Sequence, residues 1–364
     1  MDHRTSIGLD VHARSIEACA FVPETGEIVR RSFKCDPEGI AEWAAKSEFP
    51  KPVKCVYESG PTGFDLQRKL QAAGVKCCVG AVSKMFKPAG DRVKTDRRDA
   101  TFLARMLAVG NIVEVAVPAR ASEGARDLAR AREDARHDLM AARHRLSKFL
   151  LRKGIVYDAG KSAWTNAHRA WLSRIGFDDP CEQLVFDEYL QAVVDLEHRR
   201  DRLDEAIAER AAQPDMAATV NRFSAIRGIS TVTAFSIAAE IGDFSRFPNA
   251  RSFMSYIGVV PSESSSGESV SRGKITRTGN GHVRTLLVEA AWHHARRYSP
   301  AQATAYAQAK GLDAESAAIA ARANRRLHER YVRLKGRGKP ANVVNTAVAR
   351  ELAGFVWSLA NAEE

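Results

Sequence analysis

Ile7-Gly8-Leu9-Asp10-Val11-His12-Ala13 decides how the rest of the chain is read. An apolar run leads into a carboxylate and a small, polar segment follows, the pattern of a β-strand ending in an acid. Many strands end in Asp, and three later acids give this one its weight. Glu58 closes a second strand-like run, Val53-Lys54-Cys55-Val56-Tyr57. Asp96 and Asp99 lie in Lys94-Thr95-Asp96-Arg97-Arg98-Asp99-Ala100, where a helix begins. Positions three apart share a helix face, so both side chains can point at one spot. Four carboxylates converging on one pocket repel one another unless cations sit between them. Hard oxygen ligands suit Mg²⁺ or Mn²⁺, and two such ions can flank a scissile phosphate.

The composition fits a polyanion-binding protein. The chain has 364 residues, which sets a prior of two or three domains, and a hydrophobic content of 45%, enough for real cores. Its net charge is +11, which points to nucleic acid. No apolar run approaches the length of a membrane helix, and the N-terminus carries no signal-peptide pattern. A cytoplasmic protein with no membrane partner is therefore expected. The six cysteines form no C-x-x-C pair and most lie inside apolar runs, so they read as reduced, buried thiols.

Taken in order, residues 5–34 hold two or three strands, with Glu24-Thr25-Gly26 as a turn. Pro37 to Ala45 reads as a helix and Val53 to Tyr57 as a strand. Phe64 to Ala73 is a helix closed by Gly74, Val75 to Ala81 a buried strand, and Arg98 to Ala108 a helix. Antiparallel strands followed by β-α-β-α, with acids at strand ends, have the layout of a ribonuclease H or RuvC-like core. From Ala121 to Lys153 the period changes. Leu128, Ala131, Ala135, Leu139, Ala142, Leu146 and Phe149 follow steps of three and four, and Tyr189, Val193, Leu196, Leu203 and Ile207 repeat the pattern. Two long amphipathic helices are expected, paired as an antiparallel or intersubunit coiled coil. The stretch between them, Gly154 to Asp179, gives no clear assignment.

A third region starts near Ala218. Ile226-Arg227-Gly228-Ile229-Ser230 precedes an apolar helix, Thr231 to Ile241. That glycine turn offers backbone N–H groups to a phosphate, or is only a tight helix-to-helix turn; both readings fit. A serine-rich loop follows, Gly258-Val259-Val260-Pro261-Ser262-Glu263-Ser264-Ser265-Ser266-Gly267. Basic residues come next, with Arg272, Lys274, Arg277, Asn280 and Arg284 as candidate nucleic-acid contacts. His12 reads as structural or solvent-facing, with contact to a phosphate as the alternative, and His293 and His294 as packing residues. The basic run from Arg322 to Lys339 suits either a solvated helix face or phosphate binding.

These motifs together resemble the insertion-sequence family one-ten of transposases, related to the Piv and MooV DNA invertases. Asp10, Glu58, and Asp96 with Asp99 in KTDxxDA match the family's DEDD acids. Gly258, Pro261, Ser266 and Gly267 match its GxxP…SG motif, which places the nucleophile at Ser266. The resemblance covers nearly the whole chain. It implies an α/β RuvC/RNase H-like N-terminal domain over 1–118, an α-helical coiled coil over 119–217 and a mostly α-helical C-terminal serine transposase domain over 218–364. It further implies a Mg²⁺-dependent recombinase that cuts and rejoins donor and target DNA through a phosphoserine link. A noncoding bridge RNA guides it, and it works as a dimer or tetramer in which acids and serine meet across subunits. The competing readings are a hydrolytic junction resolvase, which has no use for Ser266, and a non-catalytic nucleic-acid-binding relic.

Overall fold

The computed structural model describes residues 3–46, 48–81, 95–160, 162–266 and 269–362, without the side chains of residues 265, 266, 269, 270, 272 and 302. The chain forms two compact units, Met1–Pro118 and Ala119–Glu364.

In the first unit, β1 (Thr5–Val11), β2 (Ser15–Val22) and β3 (Glu27–Lys34) precede α1 (Pro37–Ala45). Then come β4 (Val53–Glu58), α2 (Asp65–Ala72), β5 (Lys76–Gly80) and α3 (Asp96–Ala108). The sheet order is β3-β2-β1-β4-β5. The β1–β2 and β2–β3 pairs are antiparallel, and the β1–β4 and β4–β5 pairs are parallel. Strand alternation sorts the side chains into two layers. Ile7, Leu9, Cys55, Tyr57, Cys77 and Val79 pack with Ile40 and Trp43 of α1 and Leu66 and Leu70 of α2. The alternate positions face α3: Val56 and Cys78 meet Leu103 and Leu107, and Cys19 meets Ala100 and Ala104.

Gly8 sets how closely α3 lies on the sheet. A Cβ added there would stand 2.1 Å from the carbonyl oxygen of Ala100 and 2.5 Å from the nitrogen of Ala104. Helix backbone thus occupies the space a side chain would fill. The four cysteines on these strands, Cys19, Cys55, Cys77 and Cys78, are buried, whereas Cys35 and Cys181 are exposed. Burial pushes the thiols of Cys55 and Cys78 up to about 12.

The second unit is helical apart from one ribbon. The long helices α4 (Arg120–Arg152) and α6 (Pro180–Ala211) lie side by side, with α5 (Asn166–Leu172) between them in sequence. Ion pairs Arg132–Asp204, Arg199–Asp138 and Arg143–Glu197 run in opposite directions along the two helices, so the pair is antiparallel within one chain. Leu139, Leu146, Phe149, Phe186 and Val193 fill the seam, with Trp164 and Trp171 of the linking stretch packed against it. Helix α6 starts nine residues before the apolar period at Tyr189 does. The side chain of Asp179 accepts from the backbone N–H of Glu182, and Pro180 takes the first turn.

The remainder comprises α7 (Pro214–Ser224), α8 (Thr231–Ile241), α9 (Ala250–Tyr256), β6 (Pro261–Ser266) and β7 (Ser269–Ile275). It ends with α10 (Gly281–Ala291), α11 (Pro300–Ala309), α12 (Ala314–Gly336) and α13 (Ala341–Ala360). Val344, Val348, Leu352, Val356 and Leu359 run down one face of α13 and are fully buried. The serine-rich stretch, read from sequence as a loop, is strand: Ser264 pairs with Ser271 and Ser266 with Ser269. A two-stranded ladder is built from backbone groups and needs no apolar side chains, which is why the hydrophobic pattern does not announce it.

Glu240 of α8 ties three helices together. Its buried carboxylate accepts from Arg130 Nε of α4 at 2.7 Å and from Asn280 Nδ2, the N-cap of α10, at 2.7 Å, with His282 Nδ1 at 3.4 Å. Burial alone would raise this carboxyl, but hydrogen bonds from His282, Arg130 and Asn280 prevail and hold it at about 2.

Two outcomes follow from this packing. Gly8→Val should destabilise the first unit by about 2 kcal/mol or more, because helix backbone cannot yield to the new side chain as a flexible side-chain end would; urea unfolding of the full chain followed by circular dichroism measures it. Glu240 has a depressed folded-state pKa, so its stabilisation is complete above its ordinary value near 4.5 and is lost as pH falls towards 2. The stability gap between wild type and Glu240→Gln, on the order of 3 kcal/mol at pH 7, should therefore shrink between pH 5 and pH 3 in the same assay.

Candidate active site

The sheet delivers Asp10 and Glu58 to one place by register. Leu9 pairs with Tyr57 across the parallel β1–β4 ladder, and each acid is the next residue on its strand. Leu9 and Tyr57 point into the α1/α2 core, so alternation sends Asp10 and Glu58 to the α3 face. The Tyr57 hydroxyl donates to the carbonyl of Gly63 at 2.9 Å, and the N–H of Ser59 donates to the carbonyl of Gly80 at 2.9 Å. Both bonds fix the loop that leaves Glu58.

Helix α3 brings the other two acids. Its N-cap is Thr95, whose hydroxyl accepts from the N–H of Arg98, and Asp96 and Asp99 occupy its first turn. Acids are favoured there by the exposed N–H groups and the helix dipole. The close seat of α3 on Gly8 brings that first turn to the end of β1. Half-burial raises the Asp10 carboxyl, His12 opposes that rise, and the charges of Asp96 and Asp99 add to it. Three of the four expected acids thus act on one another here; Glu58 lies on the next strand, on the same face.

Two further side chains stand beside these acids. His12 is exposed, yet its Nε2 lies 3.2 Å from Asp10 Oδ2 and 3.6 Å from Asp96 Oδ2. Glu17 of β2 pairs directly with Asp10, where it accepts from the Ser32 hydroxyl at 2.5 Å and faces Arg97 at 3.6 Å. The i, i+2 spacing of Asp10 and His12 was the available signal for the first. The second needed the β1–β2 register.

Donor atoms of Asp10, His12 and Asp96 all lie within 4.8 Å of one another. Carboxylate oxygens that repel one another, with one imidazole nitrogen beside them, fit a divalent cation. Lys94 of the KTDxxDA motif lies outside the described residues.

The other expected site residues belong to the second unit. Ser266 ends β6, while its side chain and Gly267 lie outside the described residues, as does the side chain of Arg272. Lys274 and Arg277 are exposed. Asn280 is engaged in capping α10 and in binding Glu240. Arg284 donates to the carbonyls of Ile257 at 2.8 Å and Thr278 at 3.0 Å, bracing the base of the ribbon. His294 is fully buried, and burial, then Arg227, pushes its pKa down to about 3, so it is neutral.

Residues 7–154 match the family model of a DEDD transposase domain, and residues 220–308 match the model described as "Transposase IS116/IS110/IS902 family". A Sinorhizobium fredii protein bearing the name transposase y4qE is 41% identical over 306 residues, 84% of this chain and 74% of its own. The transposase for insertion sequence element IS1533 of Leptospira borgpetersenii is 30% identical over 349 residues, 93% of this chain and 99% of its own. The chain belongs to the IS110 family of insertion-sequence transposases. It is therefore an enzyme of phosphoryl transfer on DNA, and its acids lie in the segment matched as the DEDD domain. Among the described residues, no helix of this transposase is long and apolar enough to cross a membrane.

The raised Asp10 carboxyl, lifted first by burial and further by the charges of Asp96 and Asp99, has a consequence for stability. A folded-state pKa above the unfolded value means that ionisation at neutral pH works against folding. Asp10→Asn should then raise the melting temperature of the transposase in EDTA at pH 7, while Asp65→Asn, remote from the cluster in the first turn of α2, should not.

Proposed function

We propose that the transposase cuts and rejoins DNA strands with Ser266 as nucleophile and with Asp10, Glu58, Asp96 and Asp99 holding Mg²⁺. The observation that carries this reading is the close approach of Asp10 and Asp96 at the end of β1, with Asp99 near enough to add its charge, in a chain whose second matched segment contains Ser266 followed by glycine. A cation bound by the acids would supply Lewis-acid stabilisation of charge on the phosphate and on the leaving oxygen. The serine hydroxyl, a weak nucleophile at neutral pH, needs activation. As its Oγ bonds to phosphorus, one bond from phosphorus to a deoxyribose oxygen breaks. The phosphoserine link keeps the energy of the phosphodiester for rejoining, which hydrolysis would dissipate.

The nucleic-acid partners are donor and target DNA together with a noncoding bridge RNA. A cavity of about 1000 Å³ in the second unit suits one such strand. It is lined by Arg296, Arg297, Lys310, Tyr298 and Tyr306 and by the turn at Gly228. Phosphates would meet the cations and the N–H groups at the start of α8, and bases would stack on tyrosines. The same reading includes a dimer or tetramer, coiled-coil packing of α4 against α6, the three-part division at residues 118 and 217, and action in the cytoplasm at the nucleoid.

The deciding experiment is a denaturing gel of labelled element-end DNA incubated with protein, Mg²⁺ and the element's RNA. Wild type should give a covalent protein–DNA adduct. Ser266→Ala should give none while keeping its fold and its DNA affinity, and Ser264→Ala and Ser265→Ala should still form it. Free cut ends without an adduct at any time would make water the nucleophile and the enzyme a resolvase.

A further inference from the structure

We propose that His12 is itself a ligand of the divalent cation, and that its imidazole tilts the site towards Mn²⁺ over Mg²⁺. The proposal rests on the reading that the acids hold a cation. The ring stands beside two of the acids. His12 follows β1 directly, two residues after Asp10, and its backbone N–H donates to the carbonyl of Ser15 at 2.9 Å. Its carbonyl accepts from the Cys35 thiol at 3.4 Å. The backbone at this point is therefore fixed from both sides, by the β1–β2 turn and by the end of β3.

The ring folds back over the strand end, and one nitrogen lies within 3.6 Å of carboxylate oxygens from two separate elements, Asp10 of β1 and Asp96 of α3. That nitrogen hydrogen-bonds Asp10 and reaches ion-pair range of Asp96, so a cation held by the two acids would find it beside them. The same three donors are the group of described residues compact enough to share one ion.

Ligand chemistry then sets the preference. Mg²⁺ is bound through oxygen and keeps several of its waters. A first-row transition ion accepts imidazole nitrogen readily, and imidazole is the commonest protein donor to such ions. Replacing one oxygen donor by His12 in an otherwise carboxylate set should cost Mg²⁺ affinity and favour Mn²⁺.

Calorimetric titration of the full-length protein at pH 8 with MnCl₂ and, separately, MgCl₂ tests this, together with the electron spin-echo modulation of bound Mn²⁺, which registers a directly bonded ¹⁴N. His12→Ala should weaken Mn²⁺ binding by about tenfold or more while changing Mg²⁺ binding by less than about threefold, and should remove the ¹⁴N modulation. Equal losses for both ions would make His12 a structural or electrostatic neighbour and overturn the proposal. So would unchanged binding, tighter binding, or a ¹⁴N signal that survives the substitution. Asp10→Asn separates the two layers of inference. If it abolishes binding of both ions while His12→Ala does nothing, the acidic site stands and the role of His12 falls. If Asp10→Asn leaves Mn²⁺ binding intact, the acidic site falls and His12 with it.

Discussion

The first unit depends on a backbone-to-backbone contact. At Gly8 the β1 strand has no side chain, and the α3 backbone takes that space, with Ala100 and Ala104 as the helical residues at the contact. Small residues on both partners let the helix lie directly on the sheet instead of at the usual side-chain-separated distance. The seat also fixes the helix along its axis. A helix so placed delivers its first turn, with Asp96 and Asp99, to the end of the strand that carries Asp10. The acids converge because of a contact that involves none of them.

Burial raises the Asp10 carboxyl most, His12 opposes that rise, and the charges of Asp96 and Asp99 add to it, so bringing these acids together does not itself stabilise the isolated chain. Stability for the arrangement comes from elsewhere: from Tyr57, Leu70 and Leu103, which are fully buried on either side of the sheet, and from the caps that start α1 and α3. A rigid frame holding mutually repelling groups close together is the usual construction of a cation-dependent site.

Much of this was legible in the sequence. The strand-acid pattern at Asp10 and Glu58, the i, i+3 pair on α3 and the long apolar periods of α4 and α6 are local signals, and local signals survive translation into structure. Three features were not legible for identifiable reasons. The start of α6 is carried by the Asp179-Pro180 cap and not by apolar spacing, whose period begins only at Tyr189. The ribbon β6–β7 is held by paired backbones with serine side chains, which leave no alternation to detect. The placement of Glu17 beside Asp10, and the Glu240 node that employs Asn280, depend on pairings between residues far apart in the chain. Composition marked Asn280 and Arg284 as candidate nucleic-acid contacts. Geometry shows both side chains engaged by the protein itself.

The distribution of cysteines gives the molecule a built-in reporter. All four buried thiols lie on β2, β4 and β5, whereas the second unit carries only Cys181, which is exposed. Thiols held this far above their ordinary pKa inside a covered sheet are silent towards alkylating reagents, since the thiolate is the reactive form. The folded chain therefore presents two reactive sulfurs, Cys35 and Cys181, and each further one unmasked signals opening of the sheet alone. The second unit contributes no buried thiol of its own, so the number of sulfurs alkylated reports on the sheet of the first unit.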